Sequence, residues 1–209
     1  MIHHALGLLS SELEAYFQNK LGANTEAYTV LGNVGQIENE NATGLEGRLI
    51  ISLVNIEEES TLKNHPGYTK TVNGSVRYEN PPVYLNLYLL FCPFFQPTPD
   101  GYRESLARLS TVIEFFQGRH IFNLNNSPSF GNGPGLENPD LADITLILNL
   151  YTLTFEQINH LWGSLGGKQI PFAMYKARLV RMVDRRQTGS GVLIEEIDNR
   201  NRTSERPTP

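Results

Sequence analysis

Apolar residues recur every three or four positions at Ile2, Leu6, Leu9, Leu13 and Phe17, with Leu21 closing the row and Gly22 after it. This spacing lays one apolar stripe along a helix and predicts an amphipathic N-terminal helix that stops at the glycine. A polar stretch rich in Asn and Gly, residues 24–47, holds one short predicted strand at 28–31. Residues 48–57 then give a strand built on Leu49-Ile50-Ile51-Ser52-Leu53-Val54-Asn55-Ile56, which runs into Glu57, Glu58 and Glu59. Residues 60–80 form a polar connection. Its Pro66-Gly67 and Asn73-Gly74 pairs are turn signals, and Asn-Gly favours the tip of a small hairpin.

The strongest strand is 83–91. One face carries Val83, Leu85, Leu87, Leu89 and Phe91, and the other Tyr84, Asn86, Tyr88 and Leu90. With both faces largely apolar, it is expected at the centre of a sheet covered on both sides. A second helix is predicted over 99–117, with Thr98 as N-cap, Pro99 in the first helical position and Gly118 at its end. Leu106, Leu109, Ile113 and Phe116 form its expected buried stripe. A short strand at 120–124, a loop at 125–139 and a strand at 144–153 follow. Thr154 with Gln157 makes a capping box for a third helix ending near Gly166 and Gly167. The last long strand is 171–183.

Helices and strands do not alternate in βαβ units. The pattern predicts an α+β fold, with a mainly antiparallel sheet carrying the N-terminal helix and two further helices. A single domain is expected over 1–184. Residues 185–209 read as a polar C-terminal tail, flexible until assembled.

Bulk properties narrow the function. The 209 residues, 40% of them hydrophobic, suffice for a core without staples or metals. A net charge of −5 lacks the basic excess of a general nucleic-acid binder. The lone Cys92 rules out an internal disulfide and reads as a small buried hydrophobe in an apolar run. No stretch approaches the roughly 20 apolar residues that cross a bilayer. The start of the chain lacks the basic and apolar regions of a secretory signal, so synthesis in the cytoplasm is expected.

Candidate chemistry is sparse. His3, His4, His65, His120 and His160 never fall at the helical spacing, with a glutamate, that a zinc site needs. His160 beside Trp162 reads as a half-buried packing residue. Glu57, Glu58 and Glu59 read as a solvated strand end, where alternation lets only Glu57 and Glu59 converge. Neither 131–135 nor 163–168 is a phosphate loop. The first lacks a following helix that opens with Lys and a hydroxyl residue, and in the second Trp162 and Gln169 replace the required glycine and hydroxyl. No catalytic, cofactor-binding or metal-ligating residue is assigned, and an enzyme is not expected. The last strand carries Lys176, Arg178 and Arg181, followed by Arg185 and Arg186. The residues from Asp184 onward balance arginines with acids, which favours a protein partner over phosphates.

Several stretches, in this order, resemble one family: Met1-Ile2-His3-His4-Ala5-Leu6, Ile51-Ser52-Leu53-Val54-Asn55-Ile56-Glu57-Glu58-Glu59, Asn80-Pro81-Pro82-Val83-Tyr84-Leu85-Asn86-Leu87, Leu109-Ser110 through Phe115-Phe116-Gln117, Glu156-Gln157-Ile158-Asn159-His160-Leu161-Trp162-Gly163, and Tyr175-Lys176-Ala177-Arg178-Leu179-Val180. The family is the cap, or tail terminator, of extracellular contractile injection systems of the antifeeding-prophage and Photorhabdus-virulence-cassette type. The resemblance spans about residues 1–185. It implies a tail-terminator-like α+β fold and a homohexameric ring at the baseplate-distal end. The implied partners are the inner tube protein and the contractile sheath protein, with no cofactor, nucleic acid or membrane insertion. The particle is either released from the cell or anchored to a membrane.

Sheath proteins of such particles lend strands to neighbouring sheets. From this comes the expectation that Lys176, Arg178 and Arg181 lie on an exposed edge strand that takes part by strand addition. The alternatives are an adaptor or length-control component of the same particle and, more remotely, a small-ligand binder or hydrolase.

Overall fold

The structure, a computed structural model, describes residues 2–37, 44–59, 68–70, 75–131, 144–182 and 187–192. In chain order its elements are α1 (Ile2–Leu21), β1 (Thr29–Leu31), β2 (Arg48–Glu58), β3 (Tyr68–Lys70), β4 (Ser75–Glu79), β5 (Val83–Phe94) and α2 (Pro99–Gly118). They are followed by β6 (Ile121–Asn123), the short α3 (Pro128–Gly131), β7 (Thr145–Leu150), α4 (Phe155–Ser164), β8 (Ala173–Met182) and β9 (Gln187–Val192). The chain divides into two compact units, residues 1–63 with 83–182 and residues 64–82 with 183–209.

The first unit is built on a six-stranded sheet in the order β1-β2-β5-β8-β7-β6. All its pairings are antiparallel except β1 with β2. β5 lies between β2 and β8, as its doubly apolar pattern predicts, and alternate residues serve two separate cores. Leu87, Leu89 and Phe91 join a cluster with Leu8, Leu9, Leu13 and Phe17 of α1 and Val112, Phe115 and Phe116 of α2. On the opposite face, Leu90 and Cys92 join Ile50, Met174 and Trp162 of α4. Each buried large side chain contributes about 1.5–3 kcal/mol relative to an exposed one, so this strand anchors both layers.

Local signals set the helix ends. Gly22, at φ 99°, adopts the left-handed turn that closes α1. Thr98 caps α2 by accepting the Gly101 N–H at 3.1 Å. A side chain at Gly101 would collide with the Gln96 carbonyl, so this tight turn requires glycine. Thr154 and Gln157 form the expected reciprocal box at the start of α4.

Three expectations change. On α2, Leu109 and Phe116 are buried, but Leu106 and Ile113 are exposed, and the hidden arc instead runs through Ser105, Val112 and Phe115. The two stripes overlap on the helix, and the aromatic pair Phe115–Phe116 rotates α2 toward Phe91, Phe122 and Tyr175. His160 is not half-buried: its side chain is 80% exposed, 3.8 Å from Glu156 one turn earlier. In the second unit β3, β4 and β9 form a three-stranded sheet in that order, with both pairings antiparallel. β9 falls within the segment read as polar tail, because Gln-Thr-Gly-Ser-Gly-Val has no apolar alternation and becomes a strand only by pairing with β4. The Asn73-Gly74 turn signal lies outside the described residues.

Candidate functional site

The residues singled out as partner contacts sit on β8, which is an interior strand. On one side Ala173 to Met182 pairs with Phe91 to Val83 of β5, and on the other Tyr175 to Arg178 pairs with Leu150 to Ile147 of β7. The expectation of an exposed edge at Lys176 and Arg178 is therefore corrected. Lys176 pairs with Tyr88 on one side and Asn149 on the other, and Arg178 pairs with Ile147 of β7 and falls in the register shift on the β5 side, so neighbouring strands already flank both residues.

What β8 presents is a face. Lys176 stands opposite Tyr88 and Arg181 opposite Tyr84, and these tyrosines lie on the same side of β5. Strict alternation along β8 would send Arg181 to the other side from Lys176 and Arg178. It does not, because a bulge intervenes: residues 85 to 87 of β5 face residues 180 to 177 of β8, so β8 carries one residue more. The irregular spacing 176, 178, 181 thus becomes a single row of positive charge. Arg178, beside Ile147 of β7, is exposed, and Arg181 is half-buried.

The row is tied to β2. The Lys176 Nζ lies 3.3 Å from a Glu57 carboxylate oxygen and 5.2 Å from the centre of the Tyr88 ring. The Tyr88 hydroxyl donates to the same oxygen at 2.6 Å. The Tyr88 hydrogen bond, followed by that of Lys176, lowers the Glu57 pKa below its ordinary value, and the same bond raises that of Tyr88. Burial opposes the charge of Lys176, yet hydrogen bonds with Tyr88 and Glu57 outweigh it and raise its pKa. Next to them Asn86, almost fully buried, donates through Nδ2 to Glu59 at 3.0 Å. Glu57 and Glu59 do converge on one region, as alternation allows, but each meets a partner from β5 there. The roles of Tyr88 and Asn86 had no local signature, since they depend on how β2 and β8 register against β5.

Among the described residues, no nucleophile, base and oxyanion constellation accompanies this face. Cys92 is sealed in the second core, and burial drives its thiol pKa far upward, so it has no thiolate character. Among the described residues no group of three His, Cys, Asp or Glu side chains could hold a metal ion. No helix among them is long and apolar enough to cross a membrane.

The mainly antiparallel sheet with helices on both faces is a fold shared with solved tail terminators. The sheath/tube terminator of the extracellular contractile injection system PVC, in its extended state, matches over 100% of this chain at a TM-score of 0.61 and 12% identity. The cap of the anti-feeding prophage, its tube-terminating cap, matches over 93% at a TM-score of 0.59 and 11% identity. Both were solved by cryo-electron microscopy, and this chain covers 65% and 59% of their respective lengths. No curated protein matches the chain by sequence. The Pvc16 N-terminal domain family matches residues 7–196, and the chain belongs to that family.

Proposed function

We propose that this chain is the cap subunit of a contractile injection system, ending the growth of tube and sheath at the end distal to the baseplate. The observation that carries this reading is the extent of the likeness. The family match takes in residues 7–196, and the fold shared with the PVC terminator takes in the whole chain. Its work is structural: it binds the inner tube protein, the sheath protein and further copies of itself in a ring of six, without catalysis or cofactor. It is made in the cytoplasm and leaves the cell only as part of a particle, whether released or membrane-anchored.

Within this reading Lys176, Arg178 and Arg181 meet an acidic surface of the tube or sheath. They act through side chains on the sheet face, because β8 is flanked by β5 and β7 at Lys176 and Arg178. Electrostatic matching of this kind sets orientation and partner choice more than raw affinity. Negative-stain microscopy of particles from cells with the gene intact or deleted tests the function. Open-ended or length-variable particles on deletion, with an epitope tag labelling only the distal tip, support the cap. Unchanged particles with the tagged protein left in the soluble fraction overturn it.

A further inference from the structure

The two ends of the six-stranded sheet are β1 and β6, and each is met by a polar side chain at the place a further strand would occupy. On β6 the His120 carbonyl accepts the Leu148 N–H, so residues 120 and 122 turn their backbone groups toward β7. The Ile121 carbonyl and the Asn123 N–H therefore point outward. The side chain of Asn126 takes both: Nδ2 donates to the Ile121 carbonyl at 3.0 Å, and Oδ1 accepts the Asn123 N–H at 2.8 Å. In a parallel ladder one residue of the added strand bonds its neighbour's C=O at one position and the N–H two residues on. The Asn126 carboxamide supplies this same donor and acceptor pair. It is held in place because its backbone N–H donates to Asn123 Oδ1 at 3.0 Å and its carbonyl accepts Arg119 Nη1 at 2.8 Å.

β1 is treated likewise. The Tyr28 carbonyl accepts the Leu49 N–H and the Gly32 N–H donates to the Ile51 carbonyl, so these groups face β2 and the Thr29 N–H between them faces outward. Glu14 of α1 accepts that N–H at 2.8 Å and the Thr29 hydroxyl at 2.9 Å with the same carboxylate oxygen, Oε2. Its other oxygen accepts the Tyr28 N–H at 3.1 Å. Beyond Ile51, β2 runs on to Glu58 with no strand outside it among the described residues. There a register shift between Leu53 and Asn55, followed by the exposed Glu57 and Glu58, gives the protection that bulges and charges confer on bare edges.

We propose that Asn126 and Glu14 are strand plugs, which keep the sheet ends of a free subunit from pairing with those of a second copy. Such a guard suits a chain held at high local concentration with its own copies. Copies then meet through side-chain surfaces, and the sheet does not propagate from one subunit to the next. Asn126→Ala in the full chain removes one plug and leaves the Ile121 carbonyl and Asn123 N–H bare. Leu146→Ala, in the buried part of β7 beside β6, serves as a control that weakens the fold without opening an edge. The expected result is a thioflavin T signal and a pelleted fraction several-fold higher for Asn126→Ala than for the parent and for Leu146→Ala. Equal pelleting of Asn126→Ala and the control, or a clear solution of folded Asn126→Ala, overturns the proposal. If Asn126→Ala shows no cooperative melt, Glu14→Ala decides in the same assay. It leaves no side-chain oxygen to accept the Thr29 N–H, so it opens the β1 edge, and a folded Glu14→Ala that pellets no more than the control overturns the proposal.

Discussion

Glu12 on α1 and Arg119 just beyond α2 form an ion pair at 2.7 Å across 107 residues of sequence, with Glu12 almost completely hidden from solvent. The second carboxylate oxygen of Glu12 accepts the Ser129 N–H at 2.8 Å, and Arg119 also stacks over the Phe122 ring at 4.3 Å. One buried charge pair thus fastens both long helices and the segment after β6 together.

Breaking this pair strands a buried carboxylate. Arg119→Ala is expected to lower stability by about 3 kcal/mol, the low end for a buried pair, because the arginine is partly exposed. Glu12→Gln keeps an acceptor for Ser129 and should lose about half as much. Urea denaturation followed by tryptophan fluorescence measures both. Losses within about 0.5 kcal/mol of zero would show that the pair merely decorates the helix contact.

The rotation of α2 makes a sharp distinction between neighbours. Leu106 is exposed and Phe116 is buried against Phe91, Phe122 and Tyr175. Leu106→Ser should change stability by less than about 0.5 kcal/mol, whereas Phe116→Ala should cost about 3–5 kcal/mol. Comparable losses at the two positions would mean that Leu106 is covered in solution.

Glu57, Tyr88 and Lys176 predict a plateau in pH. The folded pKa of Glu57 lies below the ordinary 4.5, so its contribution is fully present above that value and is lost as pH falls through the lower folded pKa. Lys176 and Tyr88 are raised above 10.5 and 10.0, so their contributions are present below those values and fade as pH rises through the folded ones. The difference in melting temperature between the parent and Glu57→Gln should be flat from about pH 6 to 9 and shrink on both sides. A difference that grows in acid would contradict the assigned contacts.

The parts of this fold that could be read from the chain are those where local pattern and tertiary demand agree. β5 is apolar on both faces and lies at the centre of the sheet, while Thr98, Thr154 and Gln157 announce caps that the structure contains. Legibility fails where two patterns compete or where pairing decides. α2 carries two overlapping apolar stripes, and only the aromatic contacts of Phe115 and Phe116 select between them. β9 is glycine-rich and becomes a strand through β4. On β8 the positions 176, 178 and 181 look out of phase until a bulge, invisible in the sequence, realigns them. The same holds for Asn126, an ordinary loop asparagine until its amide is seen against the edge of β6.

The charged face supplies the most direct test of the proposed assembly into a particle. Arg178 is exposed and has no carboxylate partner among the described residues, so Arg178→Glu should leave the melting temperature within about 2 °C of the parent. Lys176 differs, because reversing its charge sets a second carboxylate beside Glu57; Lys176→Gln is the milder control that retains a donor. If the face meets an acidic partner, Arg178→Glu lowers incorporation into purified particles at least about tenfold, equivalent to about 1.4 kcal/mol. Lys176→Glu with Arg178→Glu abolishes it, while Lys176→Gln, which removes a charge without reversing it, lowers it less than Arg178→Glu, and each defect deepens at low salt, where charges act over a longer range. Full incorporation of the doubly reversed variant, with its fold intact by circular dichroism, would remove this face from the proposed contacts and direct attention to the exposed stripe of Tyr102, Leu106 and Ile113 on α2.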